Sequence, residues 1–299
     1  YLPIPEAHSA SVGIWVAAGS RHETEKEQGI SHFIEHMLFK GTTNRTSREI
    51  SEEMDFLGGG LNAYTSKEYT RYYAQTLSEN AVKAMDILCD MILNPLMDED
   101  EMERERQVIL DEMAMYEDSG EDVAYEKLCA AIWPDSSLGR PITGVAETVS
   151  SFTADDLRDY IRRHYTPERM VAVIAGGYDR QGMDELLENT LGRLERGTGN
   201  VEFEIPEFNP SITLTKKKFE QTSLSIAVPG LAKGDPRKYA MMVLNFIVGG
   251  GASSRLYQRL REELGLAYSV YSSHSASTGT GLFTVTASFS SDCQDQVLS

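Results

Sequence analysis

The residues best suited to chemistry in this sequence are His32, Glu35 and His36, which follow one another as His-x-x-Glu-His. On a helix His32 and His36 lie one turn apart on one face, so both rings can reach a single metal ion. Glu35, three residues from His32 and next to His36, falls beside that ion rather than on the opposite face. Imidazole and carboxylate suit zinc, which in a catalytic site takes three protein ligands and keeps its fourth position for water. The order is the inverse of the common zinc-hydrolase motif. A pair of core histidines is the alternative reading, but two imidazoles and an acid on an otherwise apolar helix are costly to bury without a partner.

A third ligand has to come from elsewhere. The helical stretch from Asp98 carries Glu101, Glu103, Glu105, Glu112 and Glu117. Glu105 and Glu112 are seven apart, two helical turns, and share a face. Most acids in such a run simply face solvent. Spacing alone does not choose among them.

The elements that must position these residues follow from the pattern. Ser11–Gly19 reads as a strand, and Ile30–Phe39 as an apolar helix closed by Gly41. Thr46 and Glu49 form a capping box for a second helix that ends at Gly58-Gly59-Gly60. Strands over 61–65 and 70–77 follow, then helices over 79–93, 98–117, 121–132 and 153–163, a strand over 170–175 and a short helix over 183–193. A Gly- and Pro-containing stretch, 198–210, is expected to be a linker.

Beyond it the order repeats. Ser223–Val228 matches the first strand, Tyr239–Gly251 the first helix, Ser253–Leu264 the second helix, and Ala267-Tyr268-Ser269 and Leu282–Ser288 the following strands. The expected fold is therefore α+β, two homologous domains, each an antiparallel-rich sheet flanked by helices. Residues 1–197 form the domain with the metal motif, and 211–299 a copy without ligands. The first copy runs roughly 120 residues past the matched part, so the second is expected to be incomplete.

With 299 residues, 28 Lys+Arg and 46 Asp+Glu, the net charge is −18. That argues against nucleic acid and anionic membranes, which need clustered cations; it fits a solvated acidic surface, with an acidic interior that steers basic ligands as the alternative. No eighteen-residue apolar run is present, so no membrane span is expected. Cys89, Cys129 and Cys293 are scattered and odd in number, as expected of reduced thiols in a reducing compartment.

The run His32-Phe33-Ile34-Glu35-His36-Met37-Leu38-Phe39-Lys40-Gly41-Thr42 resembles the signature of the pitrilysin-type zinc peptidases. It is most similar to the mitochondrial processing peptidase β subunit and its bacterial processing-protease relatives. The resemblance implies one zinc ion per chain, held by His32, His36 and Glu112, which lies 76 residues beyond His36. It implies support from Glu105, proton transfer by Glu35, and a strand with Asn62, Ala63 and Tyr64 that pairs with the substrate backbone. Arg261 and Tyr268 match the family's Arg/Tyr pair, expected to reach the zinc of a partner protomer in a homodimer. The implied activity is zinc-dependent endopeptidase action on peptides or presequence-like segments, in the bacterial cytoplasm or, as the alternative, the mitochondrial matrix. A catalytically silent subunit, as in respiratory-complex core proteins, shares the fold but typically loses part of the zinc motif.

Overall fold

A computed structural model of the chain describes residues 1–197 and 203–299. In chain order the elements are β1 (Leu2–Pro3), β2 (Ser9–Val16), α1 (Ile30–Leu38), α2 (Ser47–Phe56), β3 (Gly60–Thr65), β4 (Thr70–Leu77), α3 (Ala81–Leu93), α4 (Glu99–Glu117), α5 (Gly120–Ile132), α6 (Ala146–Ser151), α7 (Ala154–His164), β5 (Met170–Gly176) and α8 (Arg180–Asn189). Then come β6 (Thr222–Pro229), α9 (Lys238–Val248), β7 (Ala267–Ser277), β8 (Thr280–Phe289) and α10 (Gln294–Leu298). Two units result, Tyr1–Asp111 with Pro141–Val201 and Glu112–Arg140 with Glu202–Ser299, and the division falls inside the continuous helix α4.

The first unit is built on a five-stranded sheet in the order β1-β5-β2-β4-β3. All pairings are antiparallel except the short β1–β5 pair. Alternation along β2 and β4 sends Val12, Ile14, Val16, Tyr72 and Ala74 inward, where α3 covers them with Ala84, Met85, Ile87, Leu88 and Met91. The Thr46 capping box is present: the Glu49 amide donates to Thr46 Oγ1 at 3.2 Å, and Thr46 N donates to Glu49 Oε2 at 2.8 Å.

Helix α1 packs beside β3 and α7. Its Ile30, Phe33, Ile34, Met37 and Leu38 are each at most 1% exposed. At about 2 kcal/mol for each fully buried side chain, this burial is what holds an isolated nine-residue helix in place. Ser31 on its first turn bonds Tyr160 of α7 at 2.9 Å, and the Phe33 and Phe152 rings meet edge-on at 6.1 Å.

The second unit repeats this plan with a three-stranded sheet, β6-β8-β7, the order of β2-β4-β3. Both β4 and β8 lead through a 3₁₀ turn into a helix. One element departs from the expected repeat. The counterpart of α2 winds as a π-helix over Tyr257–Glu263, closed by Leu264 N donating to Arg259 O at 3.2 Å. It lacks the Thr/Glu box that fixes the first turn of α2, and wider turns of this kind recur near functional positions. Within this unit Cys129, Ile132 and Trp133, on or just past α5, pack with Leu138 and Leu282. Of the stretch expected to be a linker, 198–202 lies outside the described residues and 203–210 carries no regular secondary structure. Among the described residues no helix is long and apolar enough to cross a membrane.

Candidate metal centre

The centre starts from the way α1 begins. Gly29, its N-cap, sits at φ 92°, and a Cβ there would lie 2.5 Å from the Thr143 carbonyl oxygen. Only glycine fits both the left-handed backbone and the close approach. The first-turn amides are taken by a buried acid, Glu23: Gly29 N donates to Oε2 at 2.8 Å and Ser31 N to Oε1 at 3.0 Å. Burial pushes the Glu23 carboxyl up to about 7, against the lowering effect of those amide bonds.

One turn into the helix, the His32 and His36 rings meet at 4.7 Å with a 65° interplanar angle. Burial, and then the neighbouring His36 imidazole, push His32 down to about 4, so its ring is neutral at neutral pH and free of the proton that would block a metal. His36 Nδ1 lies 3.1 Å from Glu105 Oε2 on α4. We assign the proton to Nδ1, where the Glu105 oxygen accepts it, and this leaves the Nε2 lone pair for a metal. The other Glu105 oxygen is held by Lys40 Nζ at 2.5 Å, and Glu105 is 7% exposed.

Two turns along α4 from Glu105 stands Glu112. Ligand atoms of His32, His36 and Glu112 all lie within 4.8 Å of one another. Tyr116, one turn further, hydrogen-bonds Glu112; burial first and that carboxylate second hold its phenol above the usual range. Two imidazole nitrogens and one carboxylate oxygen form a donor set that suits zinc, with the carboxylate–histidine pair that metal-binding imidazoles normally carry.

Glu35 points from the same helix toward β3, where its Oε2 accepts from Thr65 Oγ1. Thr65 lies 3.4 Å from Thr70 Oγ1, whose hydroxyl donates to the Ala18 carbonyl at 2.9 Å. Asn62, Ala63 and Tyr64 lie on β3, the edge of the sheet, paired among the described residues only with β4. Asn62 Oδ1 accepts from Ala63 N at 2.8 Å. In the second unit Arg261 donates from NH1 to the Tyr268 carbonyl at 2.6 Å, and its guanidinium lies 5.2 Å from the Tyr257 ring and 5.7 Å from the Tyr268 ring. The pair borders a cavity of about 400 Å³ with Gln221, Leu266 and Phe289, and Tyr268 is 71% exposed.

Residues 3–145 match the model of the insulinase family, peptidase family M16, and residues 151–299 the model described as the peptidase M16 inactive domain. The chain belongs to peptidase family M16. It is 44% identical over 281 residues to an uncharacterized zinc protease of Bacillus subtilis, covering 94% of this chain and 68% of that protein. A second uncharacterized zinc protease, from Mycobacterium tuberculosis, is 41% identical over 294 residues, covering 95% of this chain and 66% of that protein. The chain thus spans about two-thirds of the length of the curated relatives it matches. A crystal structure of a peptidase M16 inactive domain from Pseudomonas fluorescens superposes with a TM-score of 0.92 at 20% identity, covering 99% of this chain and 73% of that one, and shows the same fold.

Four residues around the M16 motif escaped the sequence reading of the site. Lys40 was legible in principle, since it follows His36 by four residues, just past the C-cap Phe39. Tyr116 was legible in the same way, one turn beyond Glu112 on α4, whereas Thr65 and Glu23 gave no such signal, because their roles depend on which strand end or helix start the fold brings alongside.

Proposed function

We propose that this M16 chain is a zinc-dependent endopeptidase that cleaves extended peptides. The observation that carries the reading is the convergence of His32, His36 and Glu112 within 4.8 Å, with Glu35 on the same short helix. Zinc, when bound by these three residues, supplies Lewis-acid polarisation and a lowered pKa for water. The chain's own residues do the rest. A Glu35 carboxylate oxygen accepts the proton of the attacking water and delivers it to the leaving amine nitrogen, and Thr65 fixes its direction. Glu105, held by Lys40, keeps the His36 proton on Nδ1. An extended substrate adds to the free edge of β3 at Asn62, Ala63 and Tyr64, gaining main-chain hydrogen bonds that are largely blind to sequence.

Tyr268, oriented by Arg261, is assigned to the developing oxyanion, where loss of one donor typically costs about 10²–10³ in turnover. In this reading the pair serves the zinc of a second protomer, so the working form is a homodimer. A reducing compartment such as the bacterial cytoplasm suits three cysteines scattered through the sequence.

The test is metal analysis of the full-length protein, together with cleavage of a quenched peptide with and without chelator. Glu35→Gln should retain zinc and lose about 10²–10⁴ in rate. Cleavage that survives both chelation and this substitution refutes the reading. For the dimer, Arg261→Ala and Glu35→Ala chains, each inactive, should recover activity after subunit exchange. No recovery would discard the composite site while leaving the zinc chemistry standing.

A further inference from the structure

Beyond the metal centre, the outer face of the first sheet carries an arginine that the chemistry above does not use. Arg71 on β4 stands opposite Tyr64 of the edge strand and Trp15 of β2. Its guanidinium lies 5.3 Å from the Tyr64 ring and 4.8 Å from the Tyr73 ring. Its Nε is buried without a hydrogen-bond partner, and among the described residues it forms no ion pair.

Strand alternation places this group relative to the proposed substrate edge. Thr65, which meets Glu35, is buried on the inner face of β3, while Asn62 and Tyr64 project to the outer face. A peptide strand added to β3 therefore alternates in the same way: one side chain falls on the inner side with Thr65 and Glu35, and the next falls outward beside Tyr64. The reach of Arg71 over the Tyr64 ring carries its charge from β4 toward that outward side chain. Stacking between two rings holds a planar guanidinium ready for an anion at little entropic cost.

We propose that Arg71, held between Tyr64 and Tyr73, is a specificity-determining residue that selects an acidic side chain at the substrate position lying outward beside Tyr64. The proposal rests on the peptidase reading and on substrate addition to β3. It runs against the alternative reading of the net charge, steering of basic ligands, and confines the opposite preference to one position.

The experiment uses the full-length, zinc-loaded Glu35→Gln protein, so that binding is read without cleavage. A neutral fluorescent nonapeptide is scanned with Glu, Gln and Lys at each position, and affinity is followed by anisotropy. One position should favour Glu over Gln by about fivefold, a modest value in keeping with a partly exposed ion pair. Arg71→Met should abolish that preference, and Arg71→Lys, which keeps the charge without the stacking, should retain part of it. A scan in which no position distinguishes Glu from Gln overturns the proposal, as does a preference that survives Arg71→Met in a folded protein. If the zinc-loaded wild type cleaves none of the neutral peptides, the peptidase reading fails and the proposal fails with it; cleavage without a charge preference removes Arg71 alone.

Discussion

Replacing Glu105 by glutamine isolates the part of the metal centre that sets the character of His36. The wild-type carboxylate is almost fully buried, faces His36 Nδ1 at 3.1 Å through one oxygen and receives Lys40 Nζ at 2.5 Å through the other. Glutamine keeps the shape and a carbonyl acceptor but removes the charge, so a charge-assisted bond becomes a neutral one of roughly half the strength. A loss of about 1.4 kcal/mol in the basicity of the His36 ligand weakens zinc about tenfold, at the low end of the 10–100-fold range for partners behind a metal-bound histidine. Glu105→Ala, which also removes the acceptor, should approach the upper end. Lys40→Met leaves the carboxylate in place and should cost less than either. The assay is zinc competition against a chromophoric chelator at fixed pH. Affinity within twofold of wild type in Glu105→Gln would refute the argument that this carboxylate tunes the ligand. A loss as large as that of His36→Ala would instead make Glu105 a ligand itself.

Glu23→Ala strands two buried amides at the start of α1 and should cost about 2–4 kcal/mol in denaturant melts; a change under 1 kcal/mol would show that water replaces the cap. The Glu23 carboxyl lies at about 7 in the folded chain against 4.5 for an unperturbed group. The folded form thus holds the proton more tightly, and the stability from this group is full below about pH 4.5 and lost as the pH rises to about 7, roughly 3 kcal/mol in all. Glu23→Gln should flatten that window, measured as unfolding free energy at pH 5 and pH 8 against wild type. Gly29→Ala forces a Cβ to 2.5 Å from a backbone oxygen at φ 92° and should lower stability by at least about 2 kcal/mol in the same melts. Zinc at a hundredfold excess over its dissociation constant should stabilise the chain by about 2.7 kcal/mol in thermal unfolding, an increment that His32→Ala should remove.

Period and capping fixed much of the architecture in the sequence itself. The Thr46/Glu49 box, the apolar spacing of α1 and the strand–helix–helix–strand–strand repeat depend on neighbours within a few turns, so local chemistry determined them. The metal motif belongs to the same class, because His32 and His36 share a face of any helix that contains them. Whether the second helical copy would wind as α or π was not legible, since residue spacing does not choose between bonds four and five residues back along the chain. Nor was the choice of Glu112 over the other acids of α4 legible from spacing, which leaves every second turn equivalent. Only packing breaks that equivalence: it brings Glu105 to a histidine nitrogen and Glu112 to ligand distance, and it brings Thr65 to Glu35 and Lys40 to Glu105, groups far away in the chain. A contact between distant segments is set by the shapes of both buried faces together, and no single stretch of residues contains that information.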